Sequence, residues 1–272
     1  MNAATNATAA TDGVTENAPA TRAEICVAAC ADAWRGDGEI IASPMGLIPQ
    51  LGARLARLTF EPDLLLSDGE SLFQADVPGD GEDVFEGYFP YRLVFDLLWH
   101  GKRHVMMGAS QIDRYGNQNI SAVGADWRRP KVQLLGVRGA PGNTINHPTS
   151  YWIAKHSPKV FVEKVDLVSG IGYDRAAAVG KAARFHEIRR VVTDLAVFDF
   201  ETDDHRMRLR SVHPGVAVED VVAATGFELA GLDGATPPPP TRTPDAEELR
   251  LIRDVLDPKN TRSREVPEPP KA

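Results

Sequence analysis

Three polar or glycine-rich segments of the sequence each follow a predicted strand, which is where open α/β sheets form their ligand crevices. The first, residues 66–70, contains Ser67 and two acids, and it forms either part of a crevice or a turn with solvated acids. The second, residues 108–119, is dense in side-chain hydrogen-bond donors that include Gln111 and Asn117. These donors indicate either a ligand-binding loop or a loop that is held by its own hydrogen bonds.

The third segment, residues 136–143, lies between a predicted strand and a predicted helix. Its glycines let backbone N–H groups approach a ligand oxygen, and the amino end of a helix adds positive potential there. The segment lacks the G-x-G-x-x-G order of a dinucleotide site. Arg138 adds a long cation to the turn. The arginine favours an anion-binding turn, and an ion pair with a neighbouring acid is the alternative.

Signatures of several other reaction classes are missing from the sequence. The seven histidines show no metal-binding spacing such as H-E-x-x-H, and no G-x-S-x-G elbow presents a nucleophilic serine. Cys26 and Cys30 lie four residues apart on a predicted helix and are interpreted as small buried thiols. Residues 213–216 precede another predicted helix and are interpreted as a structural turn. We therefore predict no metal site and no redox centre.

The composition indicates one globular body with an ordinary hydrophobic content. The chain has 272 residues, of which 43% are hydrophobic, and 30 Lys and Arg against 38 Asp and Glu give a formal net charge of -8. This balance disfavours broad electrostatic binding to nucleic acid or to an anionic membrane. The first twenty residues lack the charged start and the apolar run of a signal peptide, and no stretch approaches a membrane-spanning length. We therefore expect a cytoplasmic protein that binds neither nucleic acid nor membrane.

Strand and helix patterns alternate along the chain. Thr21 and Glu24 have the spacing of a capping box before the first predicted helix, and Ser43 and Pro44 are predicted to begin the second. Strands are predicted at residues 39–42, 63–66, 105–107, 132–135, 160–162 and 191–197, and later helices at residues 94–99 and 218–225 and after Thr243 and Pro244. The alternation predicts an α/β fold, an open three-layer α/β/α sandwich with a mostly parallel sheet.

Three regions differ in composition. Residues 1–20 are poor in large apolar side chains and are predicted to form a disordered tail. Residues 21–234 form the predicted α/β domain. Residues 235–272 begin as a Pro-rich linker and continue as an amphipathic docking helix with a frayed end. Within the domain, residues 77–88 are rich in Gly, Asp and Glu and are predicted to form a solvated loop.

The ordered series of segments resembles the β subunits of class I CoA-transferases over most of the chain, from about Thr21 to Leu232. The matching segments are residues 111–117, 136–143, 161–166, 192–198, 213–216 and 225–227. The resemblance implies the CoA-transferase type of α/β/α fold, a separate homologous α subunit and an active site in the cleft between the two. On this interpretation we predict that six residues contact the substrate or CoA: Gly136, Gly139, Gly142, Asn143, Gln111 and Asn117.

One position departs from the transferase pattern. Transferases of this family attack the thioester with a glutamate of an E-x-G motif after the second strand, and the matching stretch here is Ser67-Asp68-Gly69. Asp68 or Glu70 would have to replace that glutamate, although moving a carboxylate by one methylene or one residue disrupts its attack geometry. We therefore expect that CoA transfer by the usual route is lost.

A subgroup with this departure, the actinobacterial steroid-degrading hydrolases, resembles the chain more closely. This resemblance lies in residues 21–24, 52–60, 136–147 and 168–173. It implies the β subunit of a heteromeric enzyme, either α2β2 or αβ, that opens a carbocyclic ring by hydrolytic C–C cleavage of a cyclic β-keto acyl-CoA in late cholesterol catabolism. The alternatives are a CoA-transferase subunit that uses Asp68 or Glu70, and a non-catalytic subunit that completes the active site of its partner.

The hydrolase interpretation assigns roles to a few residues. Arg138, which replaces a glycine of the transferases, and the N–H groups near Gly139 are expected to stabilise an enolate or to hold a substrate carboxylate. Ser67 leaves room where the transferase nucleophile would stand. The base is expected to be a carboxylate of the α subunit. No cofactor is expected beyond the CoA of the substrate.

Overall fold

The computed structural model describes residues 18–69, 71–76, 84–88, 90–232, 234 and 236–269. The predictions made for residues 1–17, for Glu70 and for residues 77–83 lie outside the described residues. Among the helices of the described part, none combines the length and the apolar content that a membrane span requires.

Helices and strands alternate through most of the described chain. The helices are α1 (Arg22–Asp32), α2 (Leu47–Thr59), α3 (Tyr91–His100), α4 (Ala140–Asn146), α5 (Tyr173–Val179), α6 (Val218–Ala223), α7 (Ala246–Arg250) and α8 (Arg262–Glu265). The strands are β1 (Ile41–Pro44), β2 (Leu65–Ser67), β3 (Leu72–Asp76), β4 (Val84–Tyr88), β5 (Arg103–Met107), β6 (Gln111–Ile112), β7 (Gln118–Asn119), β8 (Ala122–Val123), β9 (Val132–Gln133), β10 (Pro148–Ile153), β11 (Glu187–Thr193), β12 (Ala196–Asp199) and β13 (Arg208–Val212). A 3-10 helix at Gly180–Ala183 follows α5, and a π-helix at Leu251–Leu256 continues α7.

Nine of the strands form one mixed sheet in the order β13-β12-β11-β10-β5-β1-β2-β3-β4. The five central strands, from β11 to β2, pair in parallel. The two outer strands at each edge pair antiparallel. The predicted α/β/α fold is confirmed, with the parallel pairing confined to the centre of the sheet.

Successive residues of the central strands pack into two hydrophobic cores on opposite faces of the sheet. In β5 and β10, Met106 and Trp152 pack in the core that holds α1 and α2. Their neighbours Val105 and Tyr151 pack in the other core, which includes Ala140 of α4. The central strands are therefore buried on both faces, as parallel strands between two helical layers are.

The first capping prediction is confirmed and the second is wrong. Thr21 and Glu24 form the capping box of α1. Ser43 and Pro44 instead belong to β1, where they pair with β5, so they cannot begin a helix. The second helix starts only after Gly46, whose φ of 107° suits glycine and few other residues. The link from β1 to α2 is consequently a tight turn at the carboxyl end of β1.

Two segments that were predicted as strands do not belong to the main sheet. Residues 160–162 form no strand, because Phe161 makes only an isolated bridge to Ile112 and stacks on His156 with ring centroids 3.8 Å apart. Residues 132–135 contribute only the short β9, which pairs with β8 in a separate two-stranded sheet. Both apolar runs thus serve packing or a small hairpin, and neither extends the main sheet.

One predicted loop contains a strand, and one central strand was not predicted. Residues 84–88 form β4, which pairs antiparallel with β3 at the edge of the sheet. The sequence also did not predict β10, although it lies at the centre of the sheet between β5 and β11. This strand begins with Pro148, and its Thr149 and Ser150 are fully buried. The polar residues at the start of β10 do not resemble a buried strand, and they are buried because β5 and β11 lie on either side.

The predicted strand at residues 191–197 is divided into two antiparallel strands, β11 and β12. The hydroxyl of Thr193 accepts hydrogen bonds from the N–H groups of Leu195 and Ala196. These bonds close a turn in the middle of an apolar run. The run therefore doubles back at Asp194 and supplies two strands of the sheet.

The C-terminal residues pack on α1 and α2. Asp245, rather than Thr243, caps α7, and it forms a capping box with Glu248. Leu251 and Ile252 of the π-helix are buried in the core that holds α1 and α2. This segment thereby covers one face of the sheet, opposite the face that carries α4.

Candidate active site

A cavity of 330 Å³ opens at the carboxyl ends of β1, β2 and β5. Its lining includes residues that follow these strands, together with residues of α3 and α4: Met45, Gly69, Gly108, Tyr91, Val94, Ala140 and Asn143. Among the described residues that line it, none is an Asp or a Glu. The position agrees with the crevice that the sequence predicted for an open α/β sheet.

Arg138 lines the cavity from the turn before α4. Its φ is 51°, in the left-handed region that residues other than glycine rarely occupy. Its Nε donates a hydrogen bond of 3.3 Å to the hydroxyl of Tyr91, and its guanidinium carbon lies 5.6 Å from the centroid of that ring. Because the arginine is also exposed, it lies at the mouth of the cavity. Backbone strain of this kind is concentrated at functional sites.

Gly139 and Asn143 lie beside Arg138 in the lining. Gly139 immediately precedes α4 and faces the side chain of Asn143. The Asn143 amide is buried, and its Nδ2 donates to the sulfur of Met107 at 3.4 Å. The structure thus brings together three of the predicted site residues around one cavity.

Gly136 and Gly142 are needed for close packing. A Cβ atom on Gly136 would lie 2.5 Å from the carbonyl oxygen of Ile120, and one on Gly142 would lie 2.8 Å from Cδ1 of Leu98. Neither glycine is among the described residues of the cavity lining. Their contact with a substrate or CoA stays a prediction, while their packing role follows from these distances.

Ser67 ends β2 beneath the cavity and is 1% exposed. Its hydroxyl donates to the carbonyl oxygen of Ala42 at 2.8 Å, and it accepts the N–H of Gly69 at 3.2 Å. Gly69 lines the cavity, whereas Ser67 is not among the described lining residues. The hydroxyl therefore joins two strands and is not presented as a nucleophile.

Asp68 is engaged in the turn between β2 and β3. Its Oδ1 accepts hydrogen bonds from the N–H groups of Ser71 at 2.8 Å and Leu72 at 3.0 Å. A carboxylate that holds a turn in this way is restrained in place. This geometry does not favour Asp68 as a substitute for the missing glutamate.

Gln111 and Asn117 belong to a loop that is held by its own hydrogen bonds. Gln111 donates to Asp166 at 3.0 Å and accepts from Asn119 at 2.7 Å. Asn117 donates to Asp113 at 3.0 Å and accepts the N–H of Gly172 at 2.8 Å. Both side chains are buried, and neither residue is among the described residues that line the cavity. The self-bonded alternative fits this loop, and direct contact with substrate or CoA stays a prediction.

Arg103 lines the cavity although the sequence did not single it out. It is the first residue of β5 and is 2% exposed. One of its Nη atoms donates to Oδ1 of Asn143, and its Nε has no hydrogen-bond partner among the described residues. A lone arginine at the start of an apolar strand carries no sequence signal that distinguishes it from a solvated one.

A Ser-His-Asp arrangement lies elsewhere in the chain and is closed to substrates. Nδ1 of His104 lies 2.7 Å from Oδ2 of Asp37, and Nε2 lies 2.9 Å from Oγ of Ser150. The His104 and Asp37 side chains are 0% and 3% exposed, and burial lowers the pKa of His104. The histidine also packs against Trp34 in the core. These contacts identify a buried polar network that joins β5 to β10.

The two cysteines are buried, free thiols on α1, as the sequence predicted. Burial raises the pKa of both thiols, so neither forms a thiolate near neutral pH. In the part of the chain that the structure describes, no three His, Cys, Asp or Glu side chains are grouped so as to hold a metal ion.

Exposed aromatic side chains extend from the cavity along α3. Tyr91, Phe95 and Trp99 are spaced four residues apart, so they lie on one face of the helix. All three are exposed, and Trp99 is 74% exposed. We call these three residues the aromatic stripe. Tyr91 belongs both to the stripe and to the cavity lining, so the two features are continuous.

A sequence model of the coenzyme A transferase family matches residues 87–224, which include α3, β5, Arg138 and α4. The chain belongs to this family.

Relatives with known names are similar over nearly all of their length. The cholesterol ring-cleaving hydrolase IpdB subunit of Rhodococcus jostii is 57% identical over 247 residues, or 90% of this chain and 96% of the relative. The IpdB subunit of Mycobacterium tuberculosis is 54% identical over 250 residues, or 90% of this chain and 98% of the relative. A chain in the crystal structure of Rhodococcus jostii IpdAB is 56% identical, with a TM-score of 0.85 over 91% of this chain and 98% of that chain.

Proposed function

We propose that this chain is the β subunit of a two-subunit enzyme that opens a carbocyclic ring by hydrolytic C–C cleavage of a cyclic β-keto acyl-CoA in late steroid catabolism. One observation carries the proposal: Ser67 occupies the glutamate position of the E-x-G motif, and its hydroxyl donates a hydrogen bond to the carbonyl oxygen of Ala42. A family member without that nucleophile needs a different chemistry. The names of the relatives, which are cholesterol ring-cleaving hydrolase subunits, support ring cleavage.

The cavity suits an acyl group that is mainly hydrocarbon. Val94, Met107 and Ala140 supply apolar surface, and Arg138 supplies a cation at the mouth. A pocket with apolar walls and a few polar groups orients a ring without binding it through many hydrogen bonds.

The reaction we propose consumes one water. Water adds to the ring ketone carbon, and a base removes a proton from the adduct. The bond between this carbon and the α carbon of the thioester then breaks. Its electron pair forms an enolate with the thioester, and the former ketone carbon leaves the ring as a carboxylate. Protonation of the α carbon completes the step, so no cofactor is needed beyond the CoA of the substrate.

Arg138 is assigned to the negative charge that develops in this step. A guanidinium at the cavity mouth, beside Gly139, is placed to stabilise an enolate oxygen. Tyr91 accepts a hydrogen bond from Arg138 Nε and packs beside it, which orients the guanidinium.

The base is assigned to a homologous α subunit. No carboxylate is present among the described residues of the cavity lining, and a proton acceptor must lie within hydrogen-bond reach of the attacking water. The aromatic stripe, which is continuous with the cavity, is the surface that we assign to this partner. We propose an α2β2 assembly in the cytoplasm.

Co-expression with the α subunit tests the proposal. The purified complex is incubated with a bicyclic or monocyclic β-keto acyl-CoA, and the product is analysed by mass spectrometry. We expect a mass gain of one water and one new carboxylate, with CoA still attached. Release of free CoA without ring opening, or transfer of CoA to an added carboxylic acid, contradicts the proposal and supports a thioesterase or a transferase.

A further inference from the structure

We infer that Arg103 forms an anion-binding subsite inside the cavity and binds a carboxylate of the acyl group that is separate from the thioester. The inference rests on the proposed function and adds the residue that selects a charged acyl group. Arg138 lies at the exposed mouth of the cavity, whereas Arg103 is buried within its lining.

The Arg103 guanidinium lacks an acidic partner within the described part of the chain. Its hydrogen bond goes to the neutral amide of Asn143. Other buried arginines are paired: Arg262 contacts Glu24 and Asp257. Burying an unpaired charge costs free energy. The unpaired state of Arg103 therefore points to a counter-ion that arrives with a ligand.

The surroundings of Arg103 do not remove this charge. Burial lowers the pKa of Arg103 to about 10, which leaves the guanidinium protonated at neutral pH. Burial, together with the charge of Arg103, lowers the pKa of His147 to about 4, so this neighbouring ring is neutral at that pH. Arg103 therefore carries a positive charge at neutral pH that a bound anion could compensate.

A carboxylate fits the unused donors of Arg103. A guanidinium presents five N–H donors in a plane, and pairs of these donors match the two oxygens of a carboxylate. Nε is a donor for which the described part of the chain supplies no acceptor. The thioester and the ring ketone are neutral before reaction and cannot compensate a full charge. A group that reaches a buried residue, past the exposed mouth, must belong to the acyl part of the ligand.

Binding of matched thioesters to the co-expressed two-subunit complex tests this inference. The probes are glutaryl-CoA and adipyl-CoA, each with its neutral terminal-amide analogue, and binding is measured by isothermal titration calorimetry. The variants are Arg103→Met, Arg103→Lys and Asn143→Asp. Arg190→Met is the control, because Arg190 lies in the middle of β11, outside the described cavity lining, and pairs with Glu201.

We expect the wild-type complex to bind at least one carboxylate more tightly than its amide. Arg103→Met should weaken that carboxylate about ten- to hundredfold and change the amide little, because one charge-assisted contact is lost. Arg103→Lys should retain part of the preference. Asn143→Asp should abolish it, because the new carboxylate occupies the guanidinium. The control should retain the wild-type preference.

Stability distinguishes a ligand site from a structural ion pair with the partner subunit. If Arg103 forms a ligand site, Arg103→Met should leave the melting temperature of the ligand-free complex unchanged or raise it. Equal loss of carboxylate and amide binding, with a lowered melting temperature, overturns the inference and assigns Arg103 to the partner. An unchanged preference in Arg103→Met also overturns it. If no CoA thioester binds to a wild-type complex that still opens the cyclic substrate, only the inference is wrong; absence of both binding and ring opening contradicts the proposed function as well.

Discussion

The hydroxyl of Ser67 donates to the carbonyl oxygen of Ala42 at 2.8 Å, which fixes the end of β2 to β1. This bond forms at the position where a transferase carries its nucleophile. It holds the Ser67 side chain against β1, outside the described cavity lining. Gly69, two residues later, is the part of this segment that reaches the lining. The serine is therefore part of the support of the site.

Ser67→Ala should preserve catalysis. We expect ring-cleaving turnover within about tenfold of wild type, and a loss of about 0.5–1.5 kcal/mol in the free energy of unfolding, because one buried hydrogen bond is removed. Steady-state kinetics and denaturant unfolding of the complex measure these effects. Complete loss of turnover in a folded variant would assign the hydroxyl to the chemistry instead.

Ser43→Ala is the matched control for this change. Ser43 is also buried, and its hydroxyl lies 3.4 Å from that of Ser67, but Ser43 is not among the described residues of the cavity lining. A similar small effect in both variants agrees with a supporting role for the pair.

Arg138→Ala should lower turnover about a hundred- to thousandfold, because one donor to the developing enolate is lost. Since Arg138 is exposed, the free energy of unfolding should change by no more than about 0.5 kcal/mol. Arg138→Gly separates the two effects further: turnover should fall as far, while the φ of 51° becomes favourable and stability is retained or increased.

Arg128→Ala is the control for Arg138, since Arg128 is also exposed and packs over an aromatic ring, that of Trp127. Turnover within a factor of about two of wild type is expected for this variant. Near-normal turnover of Arg138→Ala would remove Arg138 from the reaction.

Trp99→Asp should weaken assembly with the α subunit. The indole is 74% exposed on the aromatic stripe, and an exposed aromatic anchor of an interface commonly contributes at least about 2 kcal/mol to binding. Pull-down with a tagged α subunit and analytical ultracentrifugation measure the loss. Phe185→Asp is the control, because Phe185 is similarly exposed but is not part of the stripe or of the described cavity lining. If Trp99→Asp and Phe185→Asp assemble equally well with the α subunit, the α subunit does not bind at the aromatic stripe.

The ion pairs of Glu24 should make stability fall in acid. Burial alone would raise the pKa of Glu24, but hydrogen bonds from Arg253, Thr21 and Arg262 lower it to about 2. A folded-state pKa below the ordinary value of 4.5 means that the ionised acid stabilises the fold above pH 4.5. This contribution should be lost as the pH falls from about 4.5 to about 2.

Glu24→Gln provides the comparison. The difference between the unfolding free energies of wild type and variant should be a few kcal/mol at pH 6 and should shrink toward pH 2. Denaturant unfolding over this pH range measures it. A difference that does not change with pH would show that the carboxylate of Glu24 titrates alike in the folded and unfolded chain.

The sequence predicted the class of fold and singled out a turn that lines the cavity, both for clear physical reasons. Local signals, such as the capping box of Thr21 and Glu24, do not depend on distant residues, and they were confirmed. The Arg138 turn was found because a cation among glycines is unusual. What failed were features that depend on pairing: Ser43 resembles a helix cap until β5 is placed beside it.

Burial of individual side chains was the property that the sequence predicted least well. Arg103 begins an apolar strand and resembles a solvated arginine, and only the packing of α4 against β5 reveals that its charge is enclosed. Gln111 and Asn117 show the reverse case. Their amide donors suggested ligand contacts, but the carboxylates of Asp166 and Asp113, which folding places beside them, accept these hydrogen bonds.

Trapping of a covalent intermediate tests the central claim most directly. The complex is mixed with its cyclic β-keto acyl-CoA, quenched with borohydride or hydroxylamine during turnover, and the intact mass of this chain is measured together with a peptide map. The account predicts an unmodified chain at every time point while ring-opened product accumulates. A reduced or hydroxamate-modified acidic side chain on this chain, at Asp68, Glu70 or any other position, would contradict it.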